Sequence, residues 1–333
     1  LRQRLQVLLE RLGEPYKLGG SLESVSVSMG ITLFSDAQSP GDLMQAADLA
    51  LSQAKDVNAS KLQFFNTGIQ REFNYRQQLI AALRKAIKSE SLEIYLQPQY
   101  QQLSPDSALN CLGFEALLRW CDEELGWVSP AEFIPLAESQ GLMPDLHRLV
   151  LDQVLSSIPR LQRSALECGV RVAINVSASQ FKTEGFVEDI EQRLLATGIP
   201  GELLELEVTE SMLIDDIEHT ANNMERLKAL GVTFALDDFG TGYASLGYLK
   251  RLPLNSLKID QSFIRDLHTN NSDEAIVRTV IALGNSLDLD IIAEGVETEE
   301  HLLKLQEMGC FRFQGYYFAR PEPVSFWTSS EKD

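Results

Sequence analysis

Eight short strand-like runs recur between residues 93 and 314, and helix-length runs separate most of them. The strand-like runs are Glu93–Gln97, Leu112–Leu118, Arg171–Val176, Leu204–Val208, Val232–Leu236, Ser256–Ile259, Ile291–Ala293 and Phe311–Gln314. The helix-like runs are Pro130–Gln140, Asp145–Ile158, Phe186–Ala196, Ile217–Leu230, Tyr243–Leu249, Asp273–Leu287 and Glu299–Met308. Buried strands read as short apolar runs, and amphipathic helices as longer runs of period 3.6. Their alternation over roughly 240 residues predicts an α/β fold, a TIM-like (β/α)8 barrel. The first connection, 102–110, is turn-like and too short for a crossover helix. The first two strands are therefore predicted to pair antiparallel.

The ends of these runs carry the chemistry. Val232–Leu236 runs into Asp237-Asp238 and then Phe239-Gly240-Thr241-Gly242. Adjacent carboxylates repel unless something positive sits between them, and Mg²⁺ and Mn²⁺ prefer oxygen ligands. Other runs end the same way, at Glu115, Asn175, Glu207 and Glu294, and the sixth ends at Lys258. A barrel builds its site from the ends of several strands. One such acid is most often a structural carboxylate in an ion pair. So many strand ends together would destabilise the fold without a cation.

The motifs around these residues resemble those of EAL domains, the cyclic-di-GMP phosphodiesterases. They include Tyr95-Leu96-Gln97-Pro98, Leu112-Gly113-Phe114-Glu115-Ala116-Leu117-Leu118-Arg119-Trp120, Phe133-Ile134-Pro135 and Asn175-Val176-Ser177. Further along come Glu207-Val208-Thr209-Glu210, Asp237-Asp238-Phe239-Gly240, Lys258-Ile259-Asp260, Ala293-Glu294-Gly295-Val296-Glu297-Thr298 and Gln314-Gly315-Tyr316. They keep the family's order across nearly all of residues 76–330. The resemblance implies that Glu115, Asn175, Glu207 and Asp237 hold one Mg²⁺ or Mn²⁺. Asp237 would bridge to a second, with Asp238 and Glu294 around it. Lys258, with Glu294 and Glu115, would serve catalysis, Lys258 by hydrogen-bonding the attacking water. Arg119 would clamp a phosphate oxygen, and Gln97 and Gln314 would contact the dinucleotide. Glu210 would anchor the loop that follows the Asp pair.

By the same resemblance the reaction is hydrolysis of cyclic di-GMP to linear pGpG, with Ca²⁺ binding but not supporting it. The rival reading is a non-catalytic receptor, which typically loses a metal ligand, the lysine or the loop anchor. Here all are present. Relatives of this kind also form homodimers. Blander readings exist for single residues. Arg119 could pair with Glu115, and Glu138 and Glu297 read best as charges at helix N-termini. Ala244-Ser245 stands where the family often has Ser-Ser.

Residues 1–66 read differently from the rest. They carry a helical pattern at Leu5, Leu8, Leu9 and Leu12 and an alternating stretch at Val25–Gly30. Ser39-Pro40-Gly41-Asp42 follows as a helix start, and a helix is expected over Leu43–Lys55. Ala47-Asp48-Leu49-Ala50-Leu51-Ser52-Gln53-Ala54-Lys55 resembles the C-terminal part of a GGDEF (diguanylate cyclase) domain. The Gly-Gly-Asp/Glu-Glu-Phe segment is absent, so no cyclase activity is expected. Residues 67–75 are expected as a linker, a helix over Arg76–Ser89 follows, and the barrel occupies 76–333.

Composition narrows the partners. The formal net charge of −19 excludes the basic footprint of a nucleic-acid binder. Cys111, Cys121, Cys168 and Cys310 show no Cys-x-x-Cys spacing, and with four histidines they predict free thiols rather than zinc. That fits a cytoplasmic catalytic region. No apolar run approaches the ~20 residues of a membrane span. The chain opens on Leu1-Arg2-Gln3-Arg4, and upstream sensor or membrane domains are expected in a longer protein.

Overall fold

In the computed structural model, residues 1–19, 21–36, 39–55, 61–104, 107–163, 171–210, 217–240 and 249–329 are described. They divide into two compact units, Leu1–Ala82 and Leu83–Asp333.

In the first unit come α1 (Arg2–Leu12), β1 (Tyr16–Leu18), β2 (Ser21–Glu23), β3 (Met29–Ile31), α2 (Pro40–Lys55) and β4 (Leu62–Phe64). The strand expected over Val25–Gly30 is shorter and later, because only Met29–Ile31 finds a partner, the parallel strand β4. Leu49 and Ala50 of α2 pack with Ile69 and Phe65. The next helix, α3, spans Thr67–Lys88. Residues 67–75, expected as a linker, are its first turns. The reason is local: Asn66 Oδ1 accepts from the backbone N–H groups of Gly68 and Ile69 at 2.8 and 3.1 Å. An asparagine there is an N-cap, which starts a helix.

The second unit contains the barrel. Its strands are β5 (Glu93–Gln101), β6 (Asn110–Asp122), β7 (Gly126–Val128), β8 (Arg171–Val176), β9 (Leu204–Thr209), β10 (Thr233–Phe239), β11 (Ser256–Ile259), β12 (Asp290–Ala293) and β13 (Arg312–Phe313). The helices are α4 (Pro130–Ser139), α5 (Met143–Arg163), α6 (Ala178–Phe181), α7 (Phe186–Thr197), α8 (Ile217–Lys228), α9 (Gln261–Arg265), α10 (Asn271–Ser286) and α11 (Glu299–Glu307). Apart from β7, which only extends β6 as a hairpin, the strands close into a ring. β6, β8, β9, β10, β11, β12 and β13 pair in parallel in that order. β5 closes the ring, antiparallel to both β6 and β13. This is a TIM-like barrel with the one antiparallel strand expected from its short first connection. The helix expected over Tyr243–Leu249 lies mostly outside the described residues.

Strand alternation sorts the side chains. Phe114, Ile174, Leu206, Leu236 and Leu257 join the large apolar cluster beneath the helices. Their neighbours Glu115, Asn175, Glu207, Asp237 and Lys258 face the barrel interior. Glu205, two residues earlier on β9, is fully buried and pairs with Arg171 at 3.2 Å, filling a deeper layer of that interior.

One histidine gives the fold a pH dependence. His147 on α5 is buried, its ring 4.7 Å from that of Phe186, and its Nε2 has no hydrogen-bond partner. Burial pushes its pKa down to about 4, with Asp189 and Arg193 of α7 and Arg148 and Asp152 of α5 as the facing charges. The folded value lies below the unfolded one of about 6.5. The unfolded chain therefore takes the proton first as pH falls, and stability drops between those two values. From pH 7 to pH 5 this group alone should cost about 2 kcal/mol. Urea midpoints at both pH values, for the parent and His147→Gln, check it. An equal fall in both proteins would contradict the assignment.

Candidate active site

Lys258 stands at the centre of the barrel mouth with its side chain 1% exposed. Its Nζ lies 2.5 Å from Glu294 Oε1, 2.8 Å from Glu207 Oε1, 3.4 Å from Glu115 Oε2 and 3.5 Å from Asp237 Oδ1. Each carboxylate comes from a different strand or strand end, as the parallel register requires. One ammonium cannot balance four ionised carboxylates, so part of the cluster is pushed toward the neutral form. Burial alone would push the Lys258 pKa down, but Asp237, Glu115, Glu207 and Glu294 together hold it well above the usual value. Burial raises Glu207 well above the carboxylate range, and Glu115, Asp237 and Glu294 add repulsion. Burial likewise pushes Glu294 up to about 8, against the pull of Lys258. Glu115 goes the other way. Burial opposes its charge, but Lys258 and hydrogen bonds from Gln314 and Asn175 outweigh that cost.

Asp237 and Asp238 both belong to the site, although neighbours on a strand normally face opposite ways. The register of β10 against β11 shifts between Leu236 and Phe239, and Asp238 adopts φ 54°. This bulge and left-handed residue turn the second carboxylate toward the first. Ligand oxygens of Asp237, Asp238 and Glu294 can all lie within 4.8 Å of one another. Asp238 is pushed up to about 6, by burial and then by Asp237 and Asp260.

The donor set fits a divalent cation. Both Glu207 oxygens and Asp237 Oδ1 are buried without a hydrogen bond, since Lys258 Nζ is close to Glu207 but not aligned with it. Buried acceptors are rarely left so. The set is all oxygen and amide, which suits Mg²⁺ or Mn²⁺. Asn175 donates its Nδ2 to Glu115 Oε1 at 2.7 Å, which leaves its carbonyl oxygen outside that bond.

The remaining expected residues are placed as follows. Arg119 does not pair with Glu115 among the described residues. It donates to Leu118 O at 3.0 Å and its guanidinium lies 6.0 Å from the Tyr95 ring centre. It lines a cavity of about 340 Å³ together with Asn175, Ser177 and Thr209. A second cavity, of about 230 Å³, is lined by Gln97, Glu115, Gln261, Glu294, Gln314 and Tyr316 among others. Gln97 and Gln314 are buried and bonded to each other, and Gln314 also reaches Glu115. Gly315 permits this. A Cβ there would sit 2.1 Å from Val296 O, so only glycine lets the chain after Gln314 run against Val296. Glu210 is buried directly after β9, but most of the loop it is expected to hold, Phe239–Leu246, lies outside the described residues.

Glu138, expected at a helix start, sits in the last turn of α4 instead. Glu297 directly precedes Thr298, the N-cap of α11, and so lies beside that helix's N-terminus, where it also lines the second cavity. Gln99, which donates to Gln314 at 3.0 Å, was missed. Its signal was the two-residue spacing from Gln97, which puts both on the interior face.

Residues 80–321 match the model of the EAL domain. The chain belongs to the EAL domain family. Residues 1–61 match the diguanylate cyclase GGDEF domain. Over 318 residues the chain is 38% identical to "Bifunctional diguanylate cyclase/cyclic di-GMP phosphodiesterase MucR" of Pseudomonas aeruginosa, covering 95% of this chain and 46% of that protein. It is 37% identical over 321 residues to "Cyclic di-GMP phosphodiesterase NbdA" of the same organism, covering 96% and 40%. The chain thus spans less than half the length of either relative. Among solved structures, "PaMucR Phosphodiesterase, c-di-GMP complex" matches with a TM-score of 0.70 and 40% identity, over 75% of this chain and 99% of that one. No helix among the described residues is long and apolar enough to cross a membrane.

Proposed function

We propose that this EAL barrel hydrolyses cyclic di-GMP to linear pGpG. The observation that carries the reading is Lys258, buried among Glu115, Glu207, Asp237 and Glu294, in a chain similar to proteins named for this activity. Glu115, Asn175, Glu207 and Asp237 would hold one divalent cation, and Asp237, Asp238 and Glu294 a second. When bound, such cations supply a more acidic water and neutralise charge on the phosphoryl group.

The side chains divide the remaining work. Lys258 Nζ, which holds its proton firmly, would orient the attacking water. Water oxygen forms the new bond to phosphorus while the bond to the sugar O3′ breaks. The Asp237 carboxylate would take the water's proton, and that proton would pass on to O3′, so the sugar leaves as its hydroxyl and the carboxylate is restored. The Arg119 fork suits a non-bridging phosphate oxygen. Gln97 and Gln314, which line the second cavity, would contact the nucleotide.

Incubation of the purified chain with cyclic di-GMP and Mn²⁺, followed by separation of products, tests this. Linear pGpG is expected; recovery of intact substrate would overturn it. The choice of cation gives a further expectation. Ca²⁺ bonds oxygen at about 2.3–2.6 Å against about 2.0–2.1 Å for Mg²⁺ and takes more ligands. It should therefore occupy the site and place water poorly. Turnover in Ca²⁺ should fall below a tenth of that in Mg²⁺, a difference of about 1.4 kcal/mol. Equal rates in the two would remove the argument from cation size.

A further inference from the structure

Three buried glutamines form a chain of hydrogen bonds behind Glu115. Gln314 Nε2 donates to Glu115 Oε2 at 2.5 Å and to Gln97 Oε1 at 3.2 Å. Gln314 Oε1 accepts from Gln99 Nε2 at 3.0 Å. Gln97 Nε2 donates in turn to the carbonyl oxygen of Ala319 at 3.2 Å. Gln99 is 2% exposed and Gln314 4%.

The direction of every bond follows from the carboxylate. An ionised carboxylate only accepts, so Gln314 must turn its Nε2 toward Glu115. Its Oε1 then faces Gln99, and Gln99 must donate. If Gln314 turned over, its carbonyl oxygen would meet two other acceptors, Glu115 Oε2 and Gln97 Oε1, away from water. The bond from Gln99 opposes that turn, because a turned Gln314 would present an N–H to a donor. Gln99 reaches this point from β5, where the residue opposite, Gly113, contributes no side chain.

We propose that Gln99 is a positioning residue for the hydrolytic site. Acting through Gln314, it fixes the direction of Glu115 Oε2, and with it the geometry offered to a cation. Gln99 bonds to Gln314 rather than to Glu115, so its effect is indirect. The inference rests on the cation-binding role of Glu115 given above. It adds a residue that the strand-end pattern did not supply.

Mn²⁺ alone is the probe, with binding read by calorimetry and cyclic di-GMP turnover read in parallel. Outer partners of metal ligands are typically worth about 10–100-fold in affinity or activity. Gln99→Met should weaken Mn²⁺ binding by about tenfold or more and lower kcat similarly. In a Gln314→Met background, Gln99→Met should add less than about twofold, because the two act in series. Equal losses in both backgrounds would mean a general structural role and overturn the proposal. Unchanged Mn²⁺ affinity and kcat would overturn it as well. A parent that binds Mn²⁺ but leaves cyclic di-GMP intact would refute the hydrolytic reading alone, and the Mn²⁺ cycle would still decide the role of Gln99. If Gln99→Met does not fold, the parent serves instead. Its Gln99 side-chain ¹⁵N–H₂ resonance should exchange slowly and shift when Mg²⁺ is added. Free exchange with no shift would overturn the proposal.

Discussion

Glu115→Ala should lower turnover of cyclic di-GMP by about 10³-fold or more, equivalent to about 4 kcal/mol of transition-state stabilisation. The size of the effect follows from how many groups meet at this carboxylate. It accepts from Asn175 on one oxygen and from Gln314 on the other, and it faces Lys258 at 3.4 Å. Removing it takes away a charged ligand and leaves two amides without their acceptor. Asn175 is then free to turn, and Gln314, still held by Gln97 and Gln99, keeps an unpaired donor, so the loss reaches past one ligand. Steady-state kinetics and Mn²⁺ affinity should fall together. Turnover within about tenfold of the parent would contradict the proposed cage.

Lys258→Ala should act through charge rather than through coordination. Hydrolysis should drop by about 10²-fold or more, as for other lost groups that handle the proton of a nucleophile. Its second effect is on stability. Taking one partner from a buried ion cluster typically costs about 3–5 kcal/mol, because the other charges stay buried and unpaired. Here four carboxylates would be left facing one another. Divalent cations offset that repulsion, so the variant should melt far lower in EDTA than in Mn²⁺. The parent, which keeps its ammonium, should show a smaller gap. Equal gaps in the two proteins would mean that Lys258 does not balance the cluster.

Much of the barrel is legible in residue order, because a parallel strand buried on both faces must be apolar and must end near polar residues. Val232–Leu236 is of this kind, Leu204–Val208 departs from it by turning Glu205 and Glu207 into the barrel interior, and the turn-like stretch 102–110 foretells the antiparallel pairing of β5 with β6. What residue order hides is local geometry. Alternation alone puts Asp238 on the far side of its strand from Asp237. Only the bulge and the positive φ of Asp238 bring them together. Asn66-Thr67-Gly68 reads as a linker by its glycine, but the Asn66 side chain caps two backbone donors and begins a helix. Glu138 reads as a helix-start charge because a glutamate near a helix favours the N-terminus, but α4 begins at Pro130 and puts it in the last turn. Gln99 went unnoticed for a different reason. A neutral amide in a strand carries no charge signal, and its meaning lies in a bond to Gln314, more than 200 residues away.

The carboxylates around Lys258 would form a site for hydrolysis that depends on divalent cations. The most direct measurement is hydrolysis of cyclic di-GMP by chelator-treated protein, followed as Mn²⁺ is added back. No linear product is expected in EDTA, with full recovery once Mn²⁺ saturates the site. Undiminished hydrolysis in EDTA would contradict it.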